Sequence, residues 1–118
     1  MRIVPACVIS AAALGALWLA SPDPVHAASF DCARARAADE RAVCGVRALE
    51  DRDVRMATLY SVNRQLAGGM GALGALQDRQ RDWLVERSRC RADAACIRNA
   101  YDRRIGELER AVQAASRR

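Results

Sequence analysis

No proline follows Pro24, no lysine occurs anywhere, and the one histidine, His26, lies near the N-terminus. Each absence narrows the field. Without proline nothing in the sequence interrupts long helices. Without histidine beyond position 26, the remainder has no Ser–His or Cys–His couple and no histidine metal site. Without lysine every side-chain cation there is an arginine. Strand-like alternation of apolar and polar residues is also missing, which argues against a sheet. At 118 residues there is room for one domain.

What is present falls into two unlike parts. Arg2 is followed by an uncharged stretch from Ile3 to Ala20, then Ser21-Pro22-Asp23-Pro24 and Val25-His26-Ala27. A basic start, an apolar run and small residues before Ala28 predict a signal peptide over residues 1–27, cut after Ala27. The apolar run also approaches the ~18 residues of a membrane span, but the two prolines beside a well-formed cleavage site favour removal. Cys7 is too close to the N-terminus to be a lipid-attachment cysteine and leaves with the leader.

Residues 28–118 keep Cys32, Cys44, Cys90 and Cys96. An even number in a short exported domain reads as a disulfide framework. Three pairings are open to four cysteines. Nearest-neighbour pairing is preferred because each pair brackets one turn, although the sequence does not choose. The C-x11-C and C-x5-C spacings do not fit a zinc knuckle, and no metal or cofactor is expected. Removing Arg2 and Asp23 takes one charge of each sign, so the remainder keeps the formal net charge of +5.

Alanine, arginine, leucine and glutamate dominate this part, a helical composition. A short helix is expected over Ala37–Val43, broken by Gly45. A second is expected over Arg47–Leu66, with Leu49, Met56, Leu59, Tyr60 and Leu66 on its apolar stripe. Gly68-Gly69-Met70-Gly71 should break the chain, with a third helix from Leu73 to Ser88 carrying Leu73, Leu76, Gln80, Trp83, Leu84 and Arg87 at steps of three and four. Asp93 is a plausible N-cap for a fourth helix striped by Ile97, Tyr101, Ile105, Leu108 and Val112. The prediction is an all-α fold: a small antiparallel three-helix bundle with a short extra N-terminal helix, stapled by two disulfides.

Ser29-Phe30-Asp31-Cys32 with Glu40-x-x-Val43-Cys44 resembles the opening of the LprI-like lysozyme inhibitor domain family. Leu49, Asp53, Met56, Leu59 and Tyr60 stand at that family's intervals after the second cysteine. Gln80-Arg81-x-Trp83-Leu84-x-x-Arg87-x-x-Cys90 is similar to its signature, and Cys96-Ile97-x-x-x-Tyr101-x-x-Arg104-Ile105 to the element that follows. The resemblance covers almost all of residues 28–118. Two positions depart from it: Arg52 stands where leucine is usual, and Gly45-Val46-Arg47 lacks the usual acidic, proline-containing helix start. The resemblance implies an exported, non-enzymatic binding protein of the bacterial envelope, periplasmic or secreted, with lysozyme as one protein partner.

Candidate functional residues fall into three groups. Asp78, Asp82 and Glu86 lie four apart on one helical face, the spacing of an acid/base pair, but the face is offset from the apolar stripe and reads as solvated surface. No catalytic residue is expected. Asp53, Tyr60, Gln80, Trp83, Tyr101 and Arg104 lie on or beside the apolar stripes, where polar groups must be paired. A structural network is expected, with Asp53 paired to Arg87 or Arg104. Arg87, Arg89 and Arg91 surround Cys90 and form the most concentrated basic corner, a candidate partner-binding element. Its complement would be the carboxylates of a lysozyme cleft. A net +5 domain is repelled at long range by a basic lysozyme, which leaves an anionic envelope polymer or another envelope protein as the alternative partner. Compartment and the lack of a reading motif disfavour nucleic acid.

Overall fold

The computed structural model describes residues 28–117. The leader expected over 1–27, its cleavage point and Arg118 therefore lie outside the described residues. The described residues form a single 3-10 turn (Cys32–Arg34) and four α-helices: α1 (Ala38–Gly45), α2 (Arg47–Leu66), α3 (Met70–Arg89) and α4 (Ala94–Ala115). Among the described residues there is no strand. The small all-α bundle expected from sequence is the observed fold.

The ends of the helices explain their positions. Ala37 precedes α1 and has no side-chain acceptor, so the cap comes from inside the helix. The Glu40 carboxylate accepts the amides of Arg36 (3.0 Å) and Ala37 (3.1 Å), half of a capping box. Those two amides hold the Glu40 pKa below its ordinary value. Val46 alone separates α1 from α2, so the chain turns sharply there without a capping side chain. The α4 cap is as expected, with Asp93 Oδ1 accepting from Ala95 (3.0 Å) and Cys96 (3.1 Å).

Helix α3 starts earlier than expected. Gly69 takes φ 148° as its N-cap, a conformation that L side chains rarely adopt, and Gly71 is absorbed into the first turn. Glycine costs most in a helix interior. Here Gly68 and Gly69 supply the reversal, and the Leu73 amide closes back on the Gly69 carbonyl at 3.0 Å.

The most extensive interface is between α2 and α4, with α3 laid against α4 and α1 touching all three long helices across one end. The core holds Val43 from α1, Leu49 and Met56 from α2, Leu76 and Trp83 from α3, and Ile97, Tyr101, Ile105 and Leu108 from α4. Trp83 meets Tyr101 edge to face, with centroids 5.1 Å apart, and its indole donates to the Ala100 carbonyl at 3.0 Å. Four expected stripe residues are neither in the core nor packed against it: Leu73 and Val112, which are half-buried, and Leu66 and Leu84. Leu66 and Leu84 are 47 % and 41 % exposed, Leu66 because it closes α2 where the bundle opens, Leu84 because the Trp83 indole already fills the inward position of that turn.

The disulfides are Cys32–Cys44 and Cys90–Cys96, with Cα atoms 5.8 and 5.5 Å apart. The first ties the 3-10 turn to the last turn of α1, and the second closes the α3–α4 corner. By the chain-entropy argument each short loop stabilises by about 2–3 kcal/mol. Among the described residues no helix is long and apolar enough to cross a membrane.

Candidate functional site

Helices α1, α2, α3 and α4 and the N-terminal segment converge on one buried polar chain. Arg87 of α3, only 5 % exposed, donates through Nε to Asp39 Oδ2 (2.9 Å) and through Nη1 to the Tyr101 hydroxyl (2.8 Å). That hydroxyl donates in turn to Asp53 Oδ1 at 2.9 Å, and Asp53 Oδ2 accepts the Ser29 amide at 2.6 Å. The guanidinium also lies 5.5–5.9 Å from the ring centroids of Phe30, Trp83 and Tyr101, an arrangement that favours a desolvated cation.

The electrostatics follow from this burial. Desolvation alone would lower the Arg87 pKa, but the Tyr101 oxygen and the Asp39 carboxylate outweigh it and the net shift is upward. Burial pushes the Tyr101 phenol well above its ordinary value; Arg87 opposes the shift and Asp53 reinforces it. The phenol therefore stays protonated and can donate to Asp53. Asp53 touches neither Arg87 nor Arg104 directly, so the expected ion pair is replaced by a hydroxyl relay. The physical reason is reach: the Tyr101 ring fills the core between α2 and α3 and places its oxygen between the two groups.

A second buried polar group lies farther along the bundle. Arg104, 2 % exposed, donates twice to Gln80 Oε1 (3.1 and 3.0 Å) and once to Glu107 Oε2 (3.1 Å). Gln80 turns its amide to the Met56 sulfur at 3.4 Å. Tyr60 packs half-buried against the core. Asn63, which sequence reasoning missed, donates to the Leu59 and Leu108 carbonyls at 2.9 and 3.0 Å, pinning α2 to α4. Asp39 was likewise not singled out as a network member. Its only signal was a carboxylate in the first turn of α1, ordinary for helix starts.

The arginine corner is smaller than expected. Arg87 points into the core and cannot reach a partner, because its helical position faces Tyr101 and Asp39. Arg89 and Arg91 are exposed. Arg91 has φ 52°, the left-handed region that costs a non-glycine residue about 1 kcal/mol or more. The Cys90–Cys96 bridge and the Asp93 cap hold the chain around it. At Arg52, where the family resemblance would place leucine, the side chain pairs with Asp102 at 2.8 Å on the rim of α2 and α4. Asp78 and Glu86 are exposed and paired with Arg81 and Arg103.

The surface carries open grooves. The larger, of about 490 Å³, lies at the open end among Leu66, Ala72, Leu76, Leu108 and Ala111. A second, of about 410 Å³, runs between α2 and α4 beside the Arg52–Asp102 pair. Among the described residues no group of three or more histidine, cysteine or acidic side chains is placed to hold a metal ion. Comparison of the chain with known protein families, with curated proteins and with solved structures found no match.

Proposed function

We propose that this chain is an exported binding protein of the cell envelope, released by cleavage after Ala27, that acts by presenting the Arg89–Arg91 corner to a lysozyme. The observation that carries the reading is that corner: two exposed arginines on a turn fixed by a disulfide, a helix cap and the buried Arg87 one turn earlier. A rigid basic projection loses little conformational entropy on binding and is complementary to the paired carboxylates of a glycosidase cleft. The two disulfides and the lack of a membrane-crossing helix among the described residues are compatible with export. The spacing of cysteines, Trp83 and Tyr101 that resembles the LprI-like domains supports the choice of target.

The test is a peptidoglycan-cleavage assay with oxidised protein at physiological salt. Saturable inhibition that is lost on reduction and weakened by Arg89→Ala and Arg91→Ala supports the proposal. No inhibition at high micromolar concentration by helical, oxidised protein refutes it. A second reading rests on the net charge of +5: contact with an anionic envelope polymer, without inhibition. Its mark is binding that falls steeply with salt.

A further inference from the structure

The buried chain has an excess of negative charge among the described residues: Asp39 and Asp53 carry one each against the one cation in the chain, Arg87. Asp53 is 1 % exposed and accepts from two neutral donors, the Tyr101 hydroxyl and the Ser29 amide. A buried carboxylate gains most when a cation lies close by.

The Ser29 contact places a specific cation there. The nitrogen of Ala28 is three bonds from the nitrogen of Ser29, a span of at most about 3.7 Å. With the Ser29 nitrogen 2.6 Å from Asp53 Oδ2, the nitrogen of residue 28 lies within about 6 Å of the carboxylate. Ala28 is itself packed against the core, where water screens the interaction only in part. In an uncleaved chain that nitrogen is a neutral amide. In a chain that begins at Ala28 it is an ammonium.

We propose that Asp53 is the binding site for the α-ammonium created when the leader is removed, so that processing completes the charge balance of this buried polar chain and locks the N-terminal segment onto α2 and α4. This rests on the cleavage after Ala27 proposed above. The segment it locks includes Phe30, which stacks on Arg87, so the N-terminus, the α1 end and the α3–α4 corner become one mechanical unit. Asp53 faces Tyr101 from α4, with Arg87 of α3 and Asp39 of α1 behind that hydroxyl.

The absence of lysine makes the test clean, because an amine-acylating reagent has a single amine to modify. The core and both disulfides lie within residues 28–117, so the oxidised chain beginning at Ala28 is the material. Acetylating its α-amine is expected to lower the folding equilibrium constant roughly tenfold, and the same modification of Asp53→Asn should change it little. Equal stability of free and acetylated protein overturns the proposal, as does an equal loss in Asp53→Asn. Should Asp53→Asn fail to fold, the acylation rate of the unsubstituted chain decides: slower in the folded protein than in urea supports the contact, and equal rates overturn it. N-terminal sequencing of the exported protein tests the cleavage separately. A first residue other than Ala28 overturns the role in processing even where the acylation result stands.

Discussion

Replacing Arg87 with methionine should remove a large part of the stability of this domain. The side chains of Arg87 and Asp39 are 6 % and 3 % exposed and their atoms are 2.9 Å apart. Taking away one partner of a buried pair leaves an uncompensated charge and typically costs about 3–5 kcal/mol. A domain of this size has a total of about 5–13 kcal/mol, so the variant would be near its limit at room temperature. Methionine keeps most of the apolar stem, which separates the charge effect from a cavity. Urea unfolding of the oxidised protein, followed by helical circular dichroism, gives the difference at constant slope. Arg81→Met is the control: its pair with Asp78 is 69 % and 64 % exposed, and such pairs contribute about 0–1 kcal/mol. The combination Arg87→Met with Asp39→Asn removes the unpaired charge and should be less destabilised than the two single losses added. A single loss below about 1 kcal/mol, or strict additivity in the double variant, would show that the buried chain is not coupled as described.

Three further outcomes follow from named groups. Above its ordinary value of 10.0, the Tyr101 phenol ionises in the unfolded chain while the folded chain holds its proton. Stability should therefore be fully present below that pH and fall by about 1.4 kcal/mol per pH unit as pH rises toward the raised folded value. In a Tyr60→Phe background the tyrosinate absorbance then reports Tyr101 alone and should grow only as helicity is lost; reversible ionisation near pH 10 with the helices intact would contradict its burial. Glu40 works in the opposite direction: its lowered pKa contributes stability above 4.5 that is lost as pH falls through the depressed value, and Glu40→Gln should flatten the acid limb of a stability–pH curve. Gly69→Ala should cost about 1 kcal/mol or more from backbone conformation alone, since an added Cβ meets nothing within 4 Å; a melting temperature unchanged from the parent would mean that the turn adjusts freely.

Periodicity made most of the bundle legible. The range of α2, the Asp93 cap and the inward positions of Leu49, Met56, Trp83, Ile97, Tyr101, Ile105 and Leu108 follow from 3.6-residue spacing, which tertiary packing here does not override. The start of α3 was hidden because glycines that break a helix interior also serve at its N-terminus. The polar chain was legible in membership but not in connection. Spacing shows that Asp53, Tyr101 and Arg87 face inward. It does not show that the phenol stands between carboxylate and guanidinium, which depends on the distance between α2 and α3. Asp39 and Ser29 join only through the placement of α1 and the N-terminal segment across the bundle end, and long-range placement of that kind leaves no local pattern. Arg87 carries two readings in the sequence, an inward position on the α3 stripe and a place in the basic corner beside Arg89 and Arg91; the helical spacing holds, and adjacency in sequence does not, because one turn of helix sends Arg87 inward and Arg89 outward.

That division between inward and outward arginines governs how binding data on this corner must be read. Arg89 and Arg91 can touch a partner, whereas Arg87 can act only by holding the last turn of α3 against Tyr101 and Asp39. Loss of binding in an Arg87 variant would therefore arise from a loosened corner and should track the loss of stability, recovering at lower temperature or with a stabilising change elsewhere. Loss of binding in Arg89→Ala should come with an unchanged melting temperature, because the side chain is exposed. The same reasoning places Cys90–Cys96 on the side of Arg87: reducing it should weaken binding by enlarging the set of conformations open to Arg91, whose positive φ is costly once the corner is free to relax. A partner that binds the reduced and oxidised corners equally well would thus recognise charge alone, which is the behaviour expected of an anionic polymer and not of a shaped enzyme cleft.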